Sequence, residues 1–175
     1  MPRQRPISLL SVRVTEQFLR AFFESHDYCY RFWIISPWIA PMRDQAISLE
    51  VLANKINRER IPTFVVTREP EEDYHKRALR TLVTCRTAEI ILNDALHAKM
   101  YIAENRVSSL ALIASANLTR TGLEGIEAGI LIRGWGIGED LIRECVLLAG
   151  RIRSLRPHKR WKIMNQEAES YSHSL

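Results

Sequence analysis

The sequence has few cysteines and no long apolar stretch, and both absences narrow what the protein can be. Cys29, Cys85 and Cys145 are odd in number and far apart, which argues against a disulfide framework and against a cysteine zinc site. No apolar stretch approaches the roughly 20 residues of a membrane-spanning helix, and residues 7–10 are too few for a signal-peptide core. We therefore expect a cytoplasmic protein that does not cross a bilayer.

The chain does have the composition of an ordinary globular domain. Of its 175 residues, 46% are hydrophobic and 26% are charged, which allows one packed core and leaves no case for global disorder. We expect a single domain over residues 1–156 and a basic, then polar, C-terminal tail over residues 157–175.

Positive charge is concentrated in the last part of the chain. The formal net charge is +5, and residues 151–175 hold six basic residues against Glu167 and Glu169. Together with Trp161, these cations are typical of a segment that contacts a nucleic-acid backbone. The alternative is a solvated face whose basic residues favour the dipole at a helix C-terminus.

Helix and strand patterns alternate through the first half of the sequence. Apolar spacing predicts a first helix with Thr15 as its N-cap, a second with Asp44 as its N-cap, and a third over residues 71–83. Runs of β-branched and aromatic residues predict strands at residues 30–36, 62–67 and 88–92.

Strands predominate after residue 95. Apolar runs separated by short polar turns predict strands at residues 96–103, 109–114 and 126–133. A last helix is predicted over residues 138–155, with one apolar stripe formed by Leu141, Cys145, Leu148, Ile152 and Leu155. This order predicts an α/β fold in which a mixed β-sheet is sandwiched by helices.

Polar residues of chemical interest recur where neighbouring predicted strands meet. His97 and Lys99 lie two positions apart in one strand, whose period of two directs them to the same face. Ser115 and Asn117 end the next strand and Glu127 begins the following one, so all five side chains can reach one end of the sheet. Each part alone is common, because His-x-Lys arises by chance and Ser-x-Asn is an everyday turn.

Taken in order, these five residues resemble the HKD motif of the phospholipase D superfamily, in which His-x-Lys precedes an aspartate and then Gly-Ser-x-Asn. This chain has Glu104 at the aspartate position, where we expect it to support the motif structurally, and Ala114 in place of the glycine. Neither departure removes a group that does chemistry. Residues 33–38 also resemble the family's first core strand, so the resemblance covers residues 12–133 and implies the family's α/β/α sandwich.

The resemblance implies a phosphodiesterase that works without metal or cofactor. By it, the catalytic residues are His97, Lys99, Asn117 and Glu127. His97 would attack phosphorus to form a phosphohistidine, and Glu127 would fix the tautomer of an imidazole. Lys99, Asn117 and the hydroxyl of Ser115 would bind the phosphoryl oxygens. We expect no metal site, since a lysine beside the histidine repels a cation.

The chain holds one copy of the motif, whereas enzymes of this superfamily use two. The remaining histidines, none followed by lysine two positions on, are His26, His75, His158 and His173. The resemblance therefore implies a homodimer in which two motifs meet in one composite site.

The single motif, the small size and the basic tail favour nucleic acid as the substrate, with DNA favoured over RNA, and endonuclease cleavage as the reaction. Arg43 and Arg68 follow the first two strands and are candidates for binding substrate at the mouth of the groove, with a solvated surface role as the alternative. A separate targeting protein is a further candidate partner, because a small nuclease without a recognition domain is nonspecific or borrows its specificity.

Two alternatives stay open. A phospholipase D-type lipid phosphodiesterase or phosphatidyl transferase would need exposed aromatic or aliphatic loops. Trp38, Ile39 and Met42 could provide these, unless they line the cleft or pack a dimer core. The other alternative is a catalytically silent nucleic-acid-binding module of the same fold, against which the complete set of motif residues argues.

Overall fold

The structure, a computed structural model, describes residues 5–42, 47–135, 137–156 and 159–160. The strands are β1 (Ile7–Val12), β2 (Cys29–Ile35), β3 (Thr63–Thr67), β4 (Ala88–Leu92), β5 (Met100–Asn105), β6 (Leu110–Ala114), β7 (Ile126–Arg133) and β8 (Lys159–Arg160). The helices are α1 (Val14–Glu24), α2 (Leu49–Glu59), α3 (Asp73–Val83), α4 (Arg120–Glu124) and α5 (Ile137–Ser154).

The strands form one mixed sheet in the order β1-β7-β6-β5-β2-β3-β4-β8. β2, β3 and β4 are parallel, whereas β5 pairs antiparallel with β2 and β6, and β7 pairs antiparallel with β6 and β1. The carboxyl ends of β2, β3, β4 and β6 therefore meet the amino ends of β5 and β7 at what we call the upper end of the sheet; the opposite end is the lower end. Ligands of open α/β sheets bind at the carboxyl ends of the parallel strands.

Helices cover both faces of the sheet, which confirms the predicted sandwich. In β2, alternate residues point to opposite faces, so Phe32 and Ile34 join one core while Trp33 and Ile35 join the other. The first core also receives the apolar sides of α1, α2 and α3, and the second receives that of α5. Because apolar residues occupy both sides of the central strands, the sheet has no solvated face at its centre.

The described chain begins with a strand and not with the predicted first helix. β1 pairs with β7 at the edge of the sheet, and its sequence was missed because this partly exposed strand does not alternate strictly between apolar and polar residues. Arg13 adopts the left-handed conformation, with a φ of 48°, and turns the chain directly from β1 into α1. Thr15 therefore lies buried inside α1 and does not cap it.

Two further boundaries differ from the predictions. The cap of α2 is Ser48, whose Oγ accepts a hydrogen bond from the backbone N–H of Val51 at 3.1 Å; Asp44, the predicted cap, lies outside the described residues. His97 and Lys99 lie just before β5 and not within it. A hydrogen bond from the side chain of Arg68 to the carbonyl of Leu96 holds the chain just before them.

The last helix buries Cys145 and Ile152 of the predicted stripe, and Leu141 packs against the same core, but the rest of the stripe differs. Its buried residues are Gly138, Ile142, Cys145, Ala149 and Ile152. Leu148 and Leu155 of the predicted stripe are about half exposed. Small residues replace them towards the sheet because they let the helix approach closely: a Cβ added to Gly138 would lie 1.9 Å from the carbonyl oxygen of Arg133.

Two residues of the predicted tail belong to the sheet. β8 pairs antiparallel with β4 through Lys159 and Leu92. The Nζ of Lys159 lies 2.9 Å from Oε2 of Glu69, which follows β3 at the upper end. The remainder of the tail, including Trp161, lies outside the described residues. None of the helices in the described part of the chain combines the length and the apolar character that crossing a membrane demands.

Candidate active site

The topology brings the predicted motif residues to the upper end of the sheet. His97 and Lys99 precede β5, Ser115 and Asn117 follow β6, and Glu127 is the second residue of β7. Backbone hydrogen bonds join the three segments there, from the N–H of residue 114 to the carbonyl of Lys99 at 3.1 Å and from the N–H of Ser115 to the carbonyl of residue 128 at 2.9 Å. His97 and Ser115 are exposed, while the other three are half-buried, so the set is open to a ligand.

The imidazole of His97 is held by an arginine. Nη2 of Arg68 lies 2.8 Å from Nε2 and 3.3 Å from Nδ1 of His97, and Nε of Arg68 donates to the carbonyl oxygen of Leu96 at 2.8 Å. The guanidinium also lies over the ring of Trp38, 4.9 Å from its centroid. From the sequence, Arg68 was expected at the mouth of the groove because it follows a buried strand. Its contact with His97 was not predicted, since the two residues lie 29 positions apart in the chain.

Ser115 and Glu127 form a second pair. The hydroxyl of Ser115 donates to Oε2 of Glu127 and accepts from the backbone N–H of Ala128 at 3.1 Å. The hydroxyl is therefore fixed by partners on both of its sides. In the described single chain the carboxylate of Glu127 contacts a serine and not an imidazole, so its orienting role towards histidine stays a prediction.

A buried serine fixes the loop that carries Asn117. Ser36, fully buried at the end of β2, accepts a hydrogen bond from the backbone N–H of Leu118 at 3.1 Å, and its Oγ lies 3.5 Å from Oδ1 of Asn117. The hydroxyl of Tyr101 donates to the carbonyl of Ala116 at 2.9 Å, and burial raises the pKa of Tyr101, which keeps the hydroxyl protonated. Neither role was predicted from the sequence.

Gly122 follows this loop at a position with no room for a side chain. A Cβ added to Gly122 would lie 2.1 Å from the carbonyl oxygen of Asn117. Thr119 caps the short helix α4, its hydroxyl accepting from the N–H of Gly122 at 3.2 Å. The close approach of α4 to the loop thus depends on a residue without a side chain.

Glu104 lies at the lower end of β5, away from the other motif residues. Its buried carboxylate accepts from Nε1 of Trp33 at 2.7 Å and lies 3.5 Å from Nε of Arg31. These are contacts within the frame of the fold. The structural role of Glu104 stays a prediction, which a substitution that removes its contacts with Trp33 and Arg31 would test.

Two other sets of residues were predicted near this site. Arg43 lies outside the described residues. Ile39 and Met42 are buried in the core, and Trp38 lies beneath the guanidinium of Arg68. Among the described residues these three therefore present no exposed apolar loop of the kind a lipid substrate would need.

The other histidine near this end is buried. Nε2 of His75 lies 3.0 Å from the hydroxyl of Thr67, and burial lowers the pKa of His75 to about 4. It is thus neutral at physiological pH and shielded from ligands. Across the residues that the structure describes, no three His, Cys, Asp or Glu side chains lie close enough together to hold a metal ion.

Solved structures share this fold at low sequence identity. The phospholipase D family member Nuc from Salmonella typhimurium is 13% identical, with a TM-score of 0.62 over 89% of this chain and 99% of that chain. NucT from Helicobacter pylori is 13% identical, with a TM-score of 0.58 over 83% and 94%. TrmBL2, an archaeal chromatin protein, is 13% identical, with a TM-score of 0.52 over 88% of this chain and 52% of that chain.

These matches show that the chain has the phospholipase D-like fold, as the motif predicted. The likeness is one of structure, since no protein-family model and no curated protein sequence matches the chain.

Proposed function

We propose that the protein is a metal-independent nuclease that hydrolyses phosphodiester bonds of nucleic acid through a phosphohistidine on His97, at a site completed by a second copy of the chain. The observation that carries this proposal is the meeting of five motif residues at the upper end of a phospholipase D-like fold, in the chain order of the HKD motif. They are His97, Lys99, Ser115, Asn117 and Glu127.

The proposed hydrolysis uses two imidazoles and one water molecule. The neutral imidazole of His97 attacks phosphorus through a ring nitrogen, the bond from phosphorus to the leaving oxygen breaks, and a protonated imidazole gives that oxygen its proton. Water then attacks phosphorus, the phosphorus–nitrogen bond breaks, and the proton of the water returns to the second imidazole. Lys99 and Asn117 donate to the phosphoryl oxygens throughout.

A second copy supplies the second imidazole in this proposal. Within the described residues, His75 is buried and His26 precedes β2 at the lower end, so neither can protonate a leaving group beside His97. Apolar side chains near the motif support a contact: Ile113 and Ile130 pair across β6 and β7 and are 41% and 39% exposed. Ile126, directly before Glu127, is 89% exposed. A two-fold contact of this face would bring two motifs together.

Nucleic acid is the favoured substrate on two observations. Lys159 of the basic C-terminal segment lies in β8 at the upper end, where it reaches Glu69. Such a segment suits a polyanion longer than one phosphodiester. Among the described residues, Ile39 and Met42, which were candidates for a lipid-facing surface, are buried, and this disfavours a lipid substrate. We extend this to DNA in preference to RNA and to endonuclease cleavage, with a separate targeting protein as a further candidate partner.

A DNA-binding module without turnover is the second candidate, because TrmBL2 shares the fold and is a chromatin protein with a novel mode of DNA binding. Covalent trapping separates the two. A labelled oligonucleotide mixed rapidly with the protein and quenched in base should leave a base-stable, acid-labile adduct on His97 and none on the His97→Ala variant. DNA binding without any adduct or product would support the silent module.

Subunit mixing tests the shared site. Differently tagged wild-type and His97→Ala chains are combined and the mixed dimers purified. A composite site predicts almost no activity in the mixed dimer, since the one shared site then lacks one of its two imidazoles. Independent sites predict half of the wild-type activity, which would contradict the proposal, as would full activity in a monomer. Wild-type chains mixed with Arg106→Ala chains, altered at the exposed lower end of β5, give the control.

A further inference from the structure

A cleft at the lower end of the sheet lies outside the candidate active site. It opens where α2 and α3 end and where β3 and β4 begin, and its volume is about 520 Å³. We call it the basic cleft, and the described residues that line it are Asn57, Arg60, Thr84, Arg86 and Thr87. These residues include two guanidinium groups and two hydroxyls, and none of them is a carboxylate. Guanidinium and hydroxyl donors are the groups with which proteins bind phosphate oxygens.

Hydrogen bonds between the two loops fix the backbone of the basic cleft. The amide of Asn57, in α2, donates to the carbonyl of Thr84 at 3.3 Å and accepts from the backbone N–H of Arg86 at 3.2 Å. The hydroxyl of Thr87 donates to the carbonyl of Ile61 at 2.6 Å. Both arginines of the cleft therefore start from backbone positions that are set before a ligand binds.

The charges of the two arginines are not neutralised within the fold. Both residues are exposed, and none of the described carboxylates forms an ion pair with Arg60 or Arg86. Glu59, the neighbour of Arg60 in the chain, is held instead by Lys55 and Arg58, each at 2.9 Å. The guanidinium donors of the basic cleft are thus available to an anion from solution.

Arg60 also has a backbone conformation that favours a different residue. It ends α2 with a φ of 52°, in the left-handed region. Glycine fits this position best because it has no Cβ to clash with the backbone. The side chain of an arginine at this position either offsets the negative end of the helix dipole or binds a ligand, and these two roles predict different results below.

Two more exposed arginines continue the positive charge along α3. Arg77 and Arg80 precede Thr84 by seven and four residues, a spacing that places all three on one side of the helix. Neither arginine forms an ion pair with a carboxylate of the described chain. A single phosphate needs only the cleft, whereas cations at successive helical turns match the repeated charges of a nucleic-acid backbone.

We propose that the basic cleft is a second contact for nucleic acid, in which Arg60 and Arg86 bind a backbone phosphate remote from the bond that is cut. That the bound polymer is also the substrate rests on the function proposed above. The five residues of β3 separate the cleft from the upper end and span roughly 16 Å, at about 3.3 Å per residue. At about 3.4 Å per nucleotide, a strand that reaches both ends extends roughly five nucleotides or more from the scissile bond.

Binding is measured by fluorescence anisotropy on a His97→Ala background, which removes the proposed nucleophile, with a labelled single-stranded DNA of about 20 nucleotides. Arg60→Gly and Arg86→Ala should each raise Kd about tenfold. Each should also lower the slope of log Kd against log salt by about 0.7, the value of one phosphate contact on a single strand. Arg106→Ala, which removes an exposed arginine elsewhere at the lower end, should leave Kd and the slope unchanged. Equal effects of all three variants would mean that only net charge matters and would overturn the site.

Arg60→Gly separates ligand binding from support of the helix. Glycine suits the left-handed conformation, so the free energy of unfolding in urea should stay near that of the wild type while Kd rises. If the side chain served the helix dipole, Arg60→Gly would lower the stability and leave Kd unchanged, and that result would overturn the role of Arg60. Arg86→Ala, altered beyond the end of α3, carries the binding test if Arg60→Gly does not fold.

The length of the substrate separates this contact from the active site. With DNA of about 20 nucleotides, the double variant of Arg60→Gly and Arg86→Ala should raise KM about tenfold and leave kcat unchanged. With bis(p-nitrophenyl) phosphate, which is too short to reach the cleft, both constants should equal those of the wild type. A raised KM for the short substrate would overturn a contact remote from the cleaved bond.

The other outcomes are distinguishable as well. Thymidine monophosphate binding that Arg60→Gly abolishes, with an unchanged Kd for DNA, would assign the cleft to free nucleotides and overturn the nucleic-acid contact. If the wild type hydrolyses no phosphodiester, the proposed function fails, while the Kd values for DNA still decide whether the basic cleft binds a backbone phosphate.

Discussion

The upper end of the sheet and the interior of the fold carry the same two kinds of side chain in opposite settings. His97 is exposed and Glu127 is half-buried, and both lie where a ligand can reach them. His75 is 1% exposed and Glu104 is 9% exposed, each within a closed set of partners. One histidine and one carboxylate thus lie open to a ligand, and one of each is enclosed within the fold.

The contrast is sharpest at the end of β3, where consecutive residues contact the two imidazoles. Thr67 bonds the buried His75 and Arg68 bonds the exposed His97. Burial lowers the pKa of His75 to about 4, which leaves that ring neutral and inert. The difference teaches that residue type does not assign a role here; access to solvent and the identity of the partner do.

The largest effect is expected from His97→Ala. Loss of the nucleophile should lower cleavage of nucleic acid about 10⁴-fold or more, while the free energy of unfolding changes by less than about 0.5 kcal/mol because the side chain is exposed. Nuclease assays and urea titrations measure the two. His26→Ala, at an exposed histidine of the lower end, should leave both unchanged. An active His97→Ala variant would show that cleavage does not need the exposed histidine, and the functional contrast between His97 and the buried His75 would be lost.

A smaller loss of activity is expected from Glu127→Gln. The amide keeps the size of the side chain and an oxygen for the hydroxyl of Ser115, but it removes the charge expected to act on an imidazole, so we expect a loss of about 10²- to 10³-fold in kcat. Glu124→Gln, three residues earlier and exposed, serves as the control. Unchanged kcat in Glu127→Gln would place that carboxylate with the structural residues.

The interior carboxylate should respond in the opposite way. Glu104→Ala leaves the indole N–H of Trp33 without its acceptor, so the free energy of unfolding should fall by up to about 3 kcal/mol, with activity per folded molecule unchanged. Glu104→Gln keeps an oxygen acceptor and should cost less. Urea denaturation gives the stability and an active-site titration the folded fraction. Loss of kcat in fully folded Glu104→Gln would instead assign this residue to the chemistry.

The smallest effect is a dependence of stability on pH through His75. Its pKa is lowered to about 4 in the folded protein, against about 6.5 for an unfolded chain. As the pH falls below 6.5, the unfolded chain takes up a proton that the folded protein does not, so stability is lost progressively down to about pH 4. Between pH 7.5 and 5 the wild type should lose about 2 kcal/mol more than His75→Gln. Equal losses would mean that His75 is accessible to protons in the folded state.

Much of the frame could be predicted from the sequence because it rests on local patterns. Runs of apolar residues predicted β2, β3, β4, β6 and β7 closely, whereas β5 was predicted to begin at residue 96 and begins at Met100. The order of His97, Lys99, Ser115, Asn117 and Glu127 predicted which strand ends meet. β1 was not predicted, because an edge strand is partly exposed and its apolar and polar residues do not alternate clearly. The buried stripe on α5 differs in part from the predicted one, because which of two neighbouring helix faces is buried depends on how closely the helix approaches the sheet.

The contacts that hold the candidate site could not be predicted in the same way. Arg68 with His97, and Ser36 with the loop of Asn117, join residues far apart in the chain, and no periodicity encodes such pairs. The partner of Tyr101, the carbonyl oxygen of Ala116 in a loop, likewise follows only from the folded chain. Long-range pairs of this kind depend on topology.

The measurement that tests the central claim most directly is cleavage of single- and double-stranded DNA and RNA in excess EDTA by wild-type and His97→Ala protein prepared identically. We predict cleavage by the wild type alone, with DNA among the polymers cut. Cleavage that disappears with the chelator, or that survives in His97→Ala, would contradict a metal-independent nuclease built on this histidine.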